Sequence, residues 1–390
     1  MKHTVPPGWL LAAHEKWLAG QRNDAIAAIL AALNAHGVHK PKPLMVQFGY
    51  YLFMIGDWPS ASRVLENAVA QHGPDWEVFK NISVARGRMQ DYAGAIAYLN
   101  KARALNAEDF HIFDGLAHAY ANLGRFEEAA ESGTRSLQLK DAATRPPGEA
   151  INDRKPAGGA ANVVAFSLWG ANPRYLRGAL RNVLLMEDIY PGWRARFYLD
   201  ASVPRPFADV LESLGAELRQ MPQDAPTGDK LVWRFLVAND PGVDRFMVRD
   251  CDSVIGVREA EAVSAWMASG RSFHVMRDWW THTDLMLAGM WGGRAGLLPD
   301  LQDAWRDYAP VHVTTDNVDQ WFLRDCIWPL IRGGVVVHDR CFRMAGSTPF
   351  PATGVPPGNA HVGQDEFAAR RGLQTRLLAA WIEKLPMLAA

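Results

Sequence analysis

Cysteine is scarce in this chain: Cys251, Cys326 and Cys341 are its whole complement in 390 residues. They are odd in number and too widely spaced for a zinc knuckle. They fit a reducing compartment better than a disulfide framework. Excess charge is also missing. Lys and Arg total 41 against 42 Asp and Glu, with a formal net charge of −1. No basic stripe stands out, which argues against nucleic acid as the main partner. No run approaches the roughly 20 apolar residues of a membrane helix. His14, Glu15 and Lys16 interrupt the start of the chain, so no secretory leader is predicted and the expected location is cytoplasmic. What is present is an ordinary globular balance, 48% hydrophobic and 21% charged. At this length two or three domains are expected.

The first 140 residues repeat. Gly20, Gly56, Gln90 and Gly124 fall in register, 34 to 36 residues apart. Five residues on sit Ala25, Ala61, Ala95 and Ala129; seven further on sit Ala32, Ala68, Ala102 and Ser136. Trp58, Tyr92 and Phe126 precede the alanine by three. Small residues at those places let antiparallel helices approach closely, and the aromatic is expected to fill the gap beside them. The pattern resembles tetratricopeptide repeats over about residues 6–141. Such units bury their apolar faces only by stacking, so a solenoid of about four repeats is expected over 1–141. Its inner face would carry Tyr50, Met54, Lys80, Arg88, Asp114, His118 and Asn122. That mixture suits a peptide or a partner loop; a packing spacer is the alternative. No run of Lys and Asn that would clamp a C-terminal carboxylate is seen.

Residues 142–161 are polar and rich in Pro and Gly, and read as a linker. Beyond it, 162–390 alternates strand and helix. Strands are expected at Asn162–Leu168, Arg194–Leu199, Ala216–Met221, the run into Asp250, His274–Asp278 and Gly334–Val337. Helices are expected at Phe207–Leu214, Lys230–Val237, Arg258–Met267, Leu297–Tyr308, Asn317–Ile331 and Gln364–Leu388. The fold class is thus α plus α/β, an all-α solenoid followed by a Rossmann-like, mostly parallel sheet. Ligands in such sheets bind at the C-terminal strand ends. Ser167–Gly170, Asp200 and Asp250–Ser253 all fall there.

Asp250-Cys251-Asp252 ends a half-buried strand in a turn. Two rigidly spaced carboxylates suit a hard divalent cation, although a lone Asp-x-Asp is commonly a solvated turn. Ser167-Leu168-Trp169-Gly170, Asp250-Cys251-Asp252, Asp319-Gln320 and His338, in that order, resemble the nucleotide-sugar glycosyltransferases of the GT-A fold over about residues 160–345. Tyr190-Pro191-Gly192-Trp193, Arg196-Phe197-Tyr198 and Trp233-Arg234-Phe235 are also similar to bacterial GT-A-like proteins.

The resemblance implies transfer of a hexosyl group from a nucleotide diphosphate donor, UDP-linked, to a protein or glycan acceptor. A bound Mn²⁺ or Mg²⁺ would neutralise the diphosphate. Asp252 and Asp250 are the implied metal ligands, Asp250 also meeting the ribose, with His338 completing the set; the alternative for His338 is a strand-end loop cap. Ser167 and Trp169 would line the donor site. Asp200 would meet the base or be a turn acid before Pro204, and Arg234 would reach the diphosphate or ribose or pair with a surface acid. Asp319 and Gln320 are sugar-binding or catalytic candidates, and Trp321, standing where the family often has a second acid, leaves stereochemistry open. Arg277, His282 and Trp291 lie in the region that commonly holds donor and acceptor sugars. Asp278 is the general-base candidate, with an Arg277 salt bridge as the alternative there.

Two other functions compete. Phe246–Val254 nearly matches the Asp-x-Asp-x-Val strand of haloacid-dehalogenase-like phosphatases, but Arg249 interrupts the apolar run and the motif follows three strands instead of opening the domain. The other is a non-catalytic repeat scaffold carrying a degenerate sugar-nucleotide module.

Overall fold

A computed structural model describes residues 5–145, 156, 158–308, 317–352 and 360–389. The predicted linker lies mostly outside them. The chain divides into two compact units, Met1–Leu139 and Lys140–Ala390.

The first unit is a helical repeat region. Its helices are α1 (Leu11–Leu18), α2 (Arg22–Ala35), α3 (Lys42–Met54), α4 (Trp58–His72), α5 (Trp76–Arg88), α6 (Tyr92–Leu105), α7 (Phe110–Asn122) and α8 (Phe126–Ala143). The turn position of each repeat adopts positive φ: Gly20 at 78°, Gly56 at 88°, Gly124 at 72°, and Gln90 at 61°. Glycine is the natural occupant of that conformation, and Gln90 is the exception that the register exposes. Ala25, Ala61, Ala68, Ala102, Ala129 and Ser136 are fully buried, as close helix approach requires. Side chains of Asp57, Asp75, Asp91 and Asp109 accept from the first backbone N–H groups of α4, α5, α6 and α7.

Three expectations change. Phe126 is 54% exposed, where a buried gap-filling ring was expected. Lys80 pairs with Asp109 at 2.7 Å, and Ser136 donates to Asp114 at 2.5 Å. Both contacts tie neighbouring helices together and so engage two side chains that were expected to serve recognition. Tyr50 and Met54 do stay exposed on α3.

In the second unit, eight strands form one sheet: β1 (Ala161–Leu168), β2 (Trp193–Leu199), β3 (Glu217–Gln220), β4 (Val243–Arg249), β5 (Phe273–Arg277), β6 (Met290–Arg294), β7 (Val335–Asp339) and β8 (Ser347–Pro349). Their order is β3-β2-β1-β4-β6-β5-β7-β8. All neighbours pair in parallel except at β6, which runs antiparallel to both β4 and β5. The helices are α9 (Pro173–Ile189), α10 (Arg205–Ser213), α11 (Thr227–Val232), α12 (Val257–Ala268), α13 (Leu301–Asp307), α14 (Val318–Phe322), α15 (Trp328–Ile331), α16 (Glu366–Leu377) and α17 (Ala379–Lys384). The core is built largely of aromatic, Leu and Met strand residues against α9, α10 and α12; Phe166 stacks on Phe197 at 4.9 Å.

β6 was not expected, because Gly292 and Gly293 weaken any strand signal. They are needed there: a Cβ on Gly292 would overlap the Phe246 carbonyl oxygen, and one on Gly293 would meet the Phe273 ring. The helix expected over Lys230–Val237 is α11 followed by a 3₁₀ segment, Trp233–Asn239. The helix expected over Asn317–Ile331 contains a π-helical turn at Leu323–Ile327, just before Pro329, whose missing N–H breaks the ordinary ladder. The final helix is broken at Arg370, with φ −140° and ψ 35°.

Candidate active site at the end of strand β4

β1 and β4 lie side by side in parallel, with Ala165 opposite Val248. Their C-terminal ends deliver Leu168 and Asp250 to the same sheet edge. The turn after β4 is held from below by α9. A Cβ on Gly178 would overlap the carbonyl oxygen of Cys251, so the helix touches the turn backbone. One helical turn on, buried Asn182 donates to the Ser253 carbonyl at 3.0 Å and accepts from the Ile255 N–H at 2.9 Å. Cys251 is buried, and its thiol donates to the Ser167 carbonyl at 3.2 Å. Arg249, fully buried, donates to the Gly289 carbonyl at 2.8 Å and pairs with Glu259 at 2.5 Å. The side chains that surround the two acids are thereby fixed by packing, as a preorganised site requires.

Above the turn opens a cavity of about 590 Å³, within the size range of small-molecule sites. Ser167, Trp169, Arg234, Asp250, Asp252, His282, Asp319 and Gln320 all line it. These residues are spread over more than 150 positions of sequence and meet at one strand edge.

The lining is rich in charge. It carries the carboxylates of Asp250, Asp252, Asp319 and Asp365 against the guanidiniums of Arg174 and Arg234. Each arginine serves two acids. Arg234 pairs with Asp250 and, at 3.0 Å, with Asp319. Arg174 pairs with Asp252 at 2.5 Å and Asp365 at 3.0 Å. Burial pushes the Asp252 carboxyl up to about 6, with the neighbouring Asp250 charge adding to it and Arg174 opposing. Burial likewise pushes Asp319 up to about 6 against the pull of Arg234. His282 is driven well below the ordinary histidine value, by burial first and then by His361, Arg277 and Arg249.

Five predicted site residues lie outside this cavity. His338 is not brought to the Asp-x-Asp turn: its Nδ1 meets His274 Nε2 at 2.7 Å, and the two buried rings pack near Trp266 and Phe350. Asp200 is fully buried, accepts from Ser202, and pairs with Lys230 at 2.5 Å, so it is not offered to a base. Asp278 is fully buried, bound by Arg258 at 3.0 Å and by the Val362 N–H at 2.9 Å, which leaves no free base there. Arg277 pairs with Asp339 at 2.7 Å inside the core. Trp291 is a core residue edge-on to Phe235 and Phe246. Among the described residues, no group of three or more His, Cys, Asp or Glu is arranged to hold a metal ion.

Arg174, Tyr175 and Asp365 were not singled out from sequence. Arg174 follows Asn172-Pro173, a helix start directly after β1, and that placement was a usable signal. Asp365 caps α16 by accepting the Ala368 N–H at 2.9 Å. It reaches the site because its backbone bridges Ser253, a pairing that no local pattern announces.

No helix among the described residues is long and apolar enough to cross a membrane. No protein-family model matches the chain, and no curated protein matches it. Among solved structures, MamA is similar over 34% of this chain and 75% of its own, at 21% identity and a TM-score of 0.32. A MamA fragment from Desulfovibrio magneticus RS-1 matches 33% of this chain and 71% of its own, at 16% identity and a TM-score of 0.31. The first TPR of Spaghetti (RPAP3) bound to an HSP90 peptide matches 26% of this chain and 84% of its own, at 23% identity and a TM-score of 0.25.

Proposed function

We propose that the α/β unit is a glycosyltransferase of the GT-A type that uses a nucleotide diphosphate sugar, UDP-linked, and a divalent cation. The observation that supports this most is convergence: eight residues named for donor binding, catalysis or metal binding line one cavity at the C-terminal edge of β1 and β4. The four carboxylates exceed the two guanidiniums by two charges, an imbalance that suits an ion such as Mn²⁺ or Mg²⁺. Asp250 and Asp252 would hold it, with substrate oxygens and not His338 supplying the remaining ligands. When bound, the ion would act as a Lewis acid on the departing diphosphate.

The chain's own residues do the rest. Arg234 reaches the diphosphate side while fixing Asp250 and Asp319 in place. Asp319, half-protonated near pH 6, lies with Gln320 where the sugar is expected. Trp169 and Tyr175 add aromatic side chains to the same lining. The repeat unit would recruit a protein or glycan acceptor, with exposed Tyr50 and Met54 on α3 as part of the recognition face.

The test is calorimetry with UDP in the presence and absence of Mn²⁺, on the whole chain and on Asp252→Ala. Metal-dependent binding that disappears in the folded variant is expected. Undiminished UDP–Mn²⁺ binding by that variant would overturn the metal assignment.

A second function is favoured by a separate observation. Every acid of the cavity already has an arginine partner with no ligand bound. The unit would then be a degenerate module attached to a repeat scaffold. It should show no UDP binding with or without metal.

A further inference from the structure

We infer that the sugar this cavity accepts is an uncharged, hydroxyl-bearing one, met by the Nε2–H of His282 as donor and the side-chain oxygen of Gln320 as acceptor. The inference rests on the nucleotide-sugar function proposed above and specifies its donor.

The geometry fixes the state of His282. Its Nδ1 accepts the backbone N–H of Asp278 at 3.0 Å. That nitrogen therefore carries a lone pair, and the single proton of a neutral ring sits on Nε2. The ring is 8% exposed and lines the cavity. Among the described residues nothing takes the Nε2–H. The same bond rules out cation ligation through Nε2, because both nitrogens are then committed. Asp278 is in turn clamped by Arg258 and Val362, so it acts as a positioning residue for the imidazole. Gln320 supplies the complementary group: its Oε1 is buried without a partner in the same lining. An unpaired donor and an unpaired acceptor in one cavity lining suit hydroxyl groups, each of which can serve as both.

The charge of the cavity points the same way. A uronic acid sugar would bring a further carboxylate beside Asp250, Asp252, Asp319 and Asp365. Arg174 and Arg234 are each already shared between two acids, and Arg234 is also the group assigned to the diphosphate, so neither is left over for it. Burying that carboxylate unpaired is strongly unfavourable.

The test compares UDP, UDP-glucose and UDP-glucuronate by calorimetry at pH 7.5 with Mn²⁺. UDP-glucose is expected to bind at least about tenfold more tightly than UDP-glucuronate, as one unmet charge-bearing group implies. His282→Ala should lower the ratio of UDP-glucose to UDP affinity by about tenfold, and His282→Gln, which keeps an N–H donor, should restore most of it. Equal or tighter binding of UDP-glucuronate, or an unchanged ratio in His282→Ala, overturns the inference. If UDP does not bind at all, the nucleotide function fails, and imidazole ¹⁵N resonances then decide separately. His282 should report a neutral ring protonated on Nε2 and should shift on titration with glucose but not with glucuronate. A ring protonated on Nδ1, or one that ignores both sugars, overturns the inference.

Discussion

Glu366 donates its backbone N–H to the carbonyl oxygen of Asp252 at 3.0 Å, across 114 residues of chain. The second acid of the Asp-x-Asp turn is therefore held from above by the start of α16 as well as from below by α9. Glu366 is the first residue of that helix, after the Asp365 cap, and proline is well tolerated at such a position. Glu366→Pro should keep the helix while deleting this one bond, at a cost of about 1 kcal/mol. Glu366→Ala, which loses the side-chain pair with Arg181 but keeps the N–H, is the control. Chemical denaturation should separate the two variants; identical midpoints would show that the bond contributes nothing.

Gly178→Ala tests the support from α9. The new methyl would strike the Cys251 carbonyl, which is backbone and cannot swing aside. Overpacking of this kind costs about 1–3 kcal/mol. The turn should also move, so ligand affinity at the cavity should fall more than the stability loss explains. A crystal structure of the variant with Asp250 and Asp252 undisplaced would contradict this account.

His338 gives a pH signature. Burial holds it down to about 4, whereas the unfolded chain takes up that proton near 6.5. The unfolded state thus binds more protons between those values, and stability falls as pH drops from about 6.5 toward 4. At about 1.4 kcal/mol per unit, the loss from this imidazole reaches about 3 kcal/mol at the low end. His338→Gln should flatten the fall of denaturation midpoint over that range. Parallel pH profiles for the two proteins would count against it.

Gln90 is a local test of the repeat. It occupies the turn position that glycine fills in the other three units, at φ 61°. A side chain there is strained by about 1 kcal/mol or somewhat more. Gln90→Gly should stabilise the repeat unit by about 0.5–1 kcal/mol after the entropy of glycine is subtracted. A lower melting temperature for the variant would mean that the Gln90 side chain makes compensating contacts.

Local pattern made the repeat legible: the turn residues and small alanines sit at fixed spacing, and burial follows them. The parallel strands were legible for the same reason, as compact apolar runs. The cavity was half legible. Ser167, Asp250 and Asp252 could be placed because strand ends converge on one edge in a parallel sheet. His338 could not be placed correctly, since it lies next to the end of β7 yet meets His274 across the β5–β7 pair, and a place near a strand end says nothing of the face chosen. Asp278 looked like a free acid because the arginine that claims it, Arg258, lies twenty residues upstream on α12. Asp365 was missed because a tertiary bridge brings it in.

The reversed direction of β6 has a consequence for how the cavity is walled. Because it runs against β4, its first residue, Met290, lies opposite Arg249, the last of β4. The stretch Leu287–Gly289 that precedes it consequently arrives at the ligand-facing edge. A parallel strand of the same five residues would have started at the opposite margin, about 15 Å away at 3.3 Å per residue. One antiparallel crossing thus lets a segment entering a strand, and not leaving one, supply a side of the chamber.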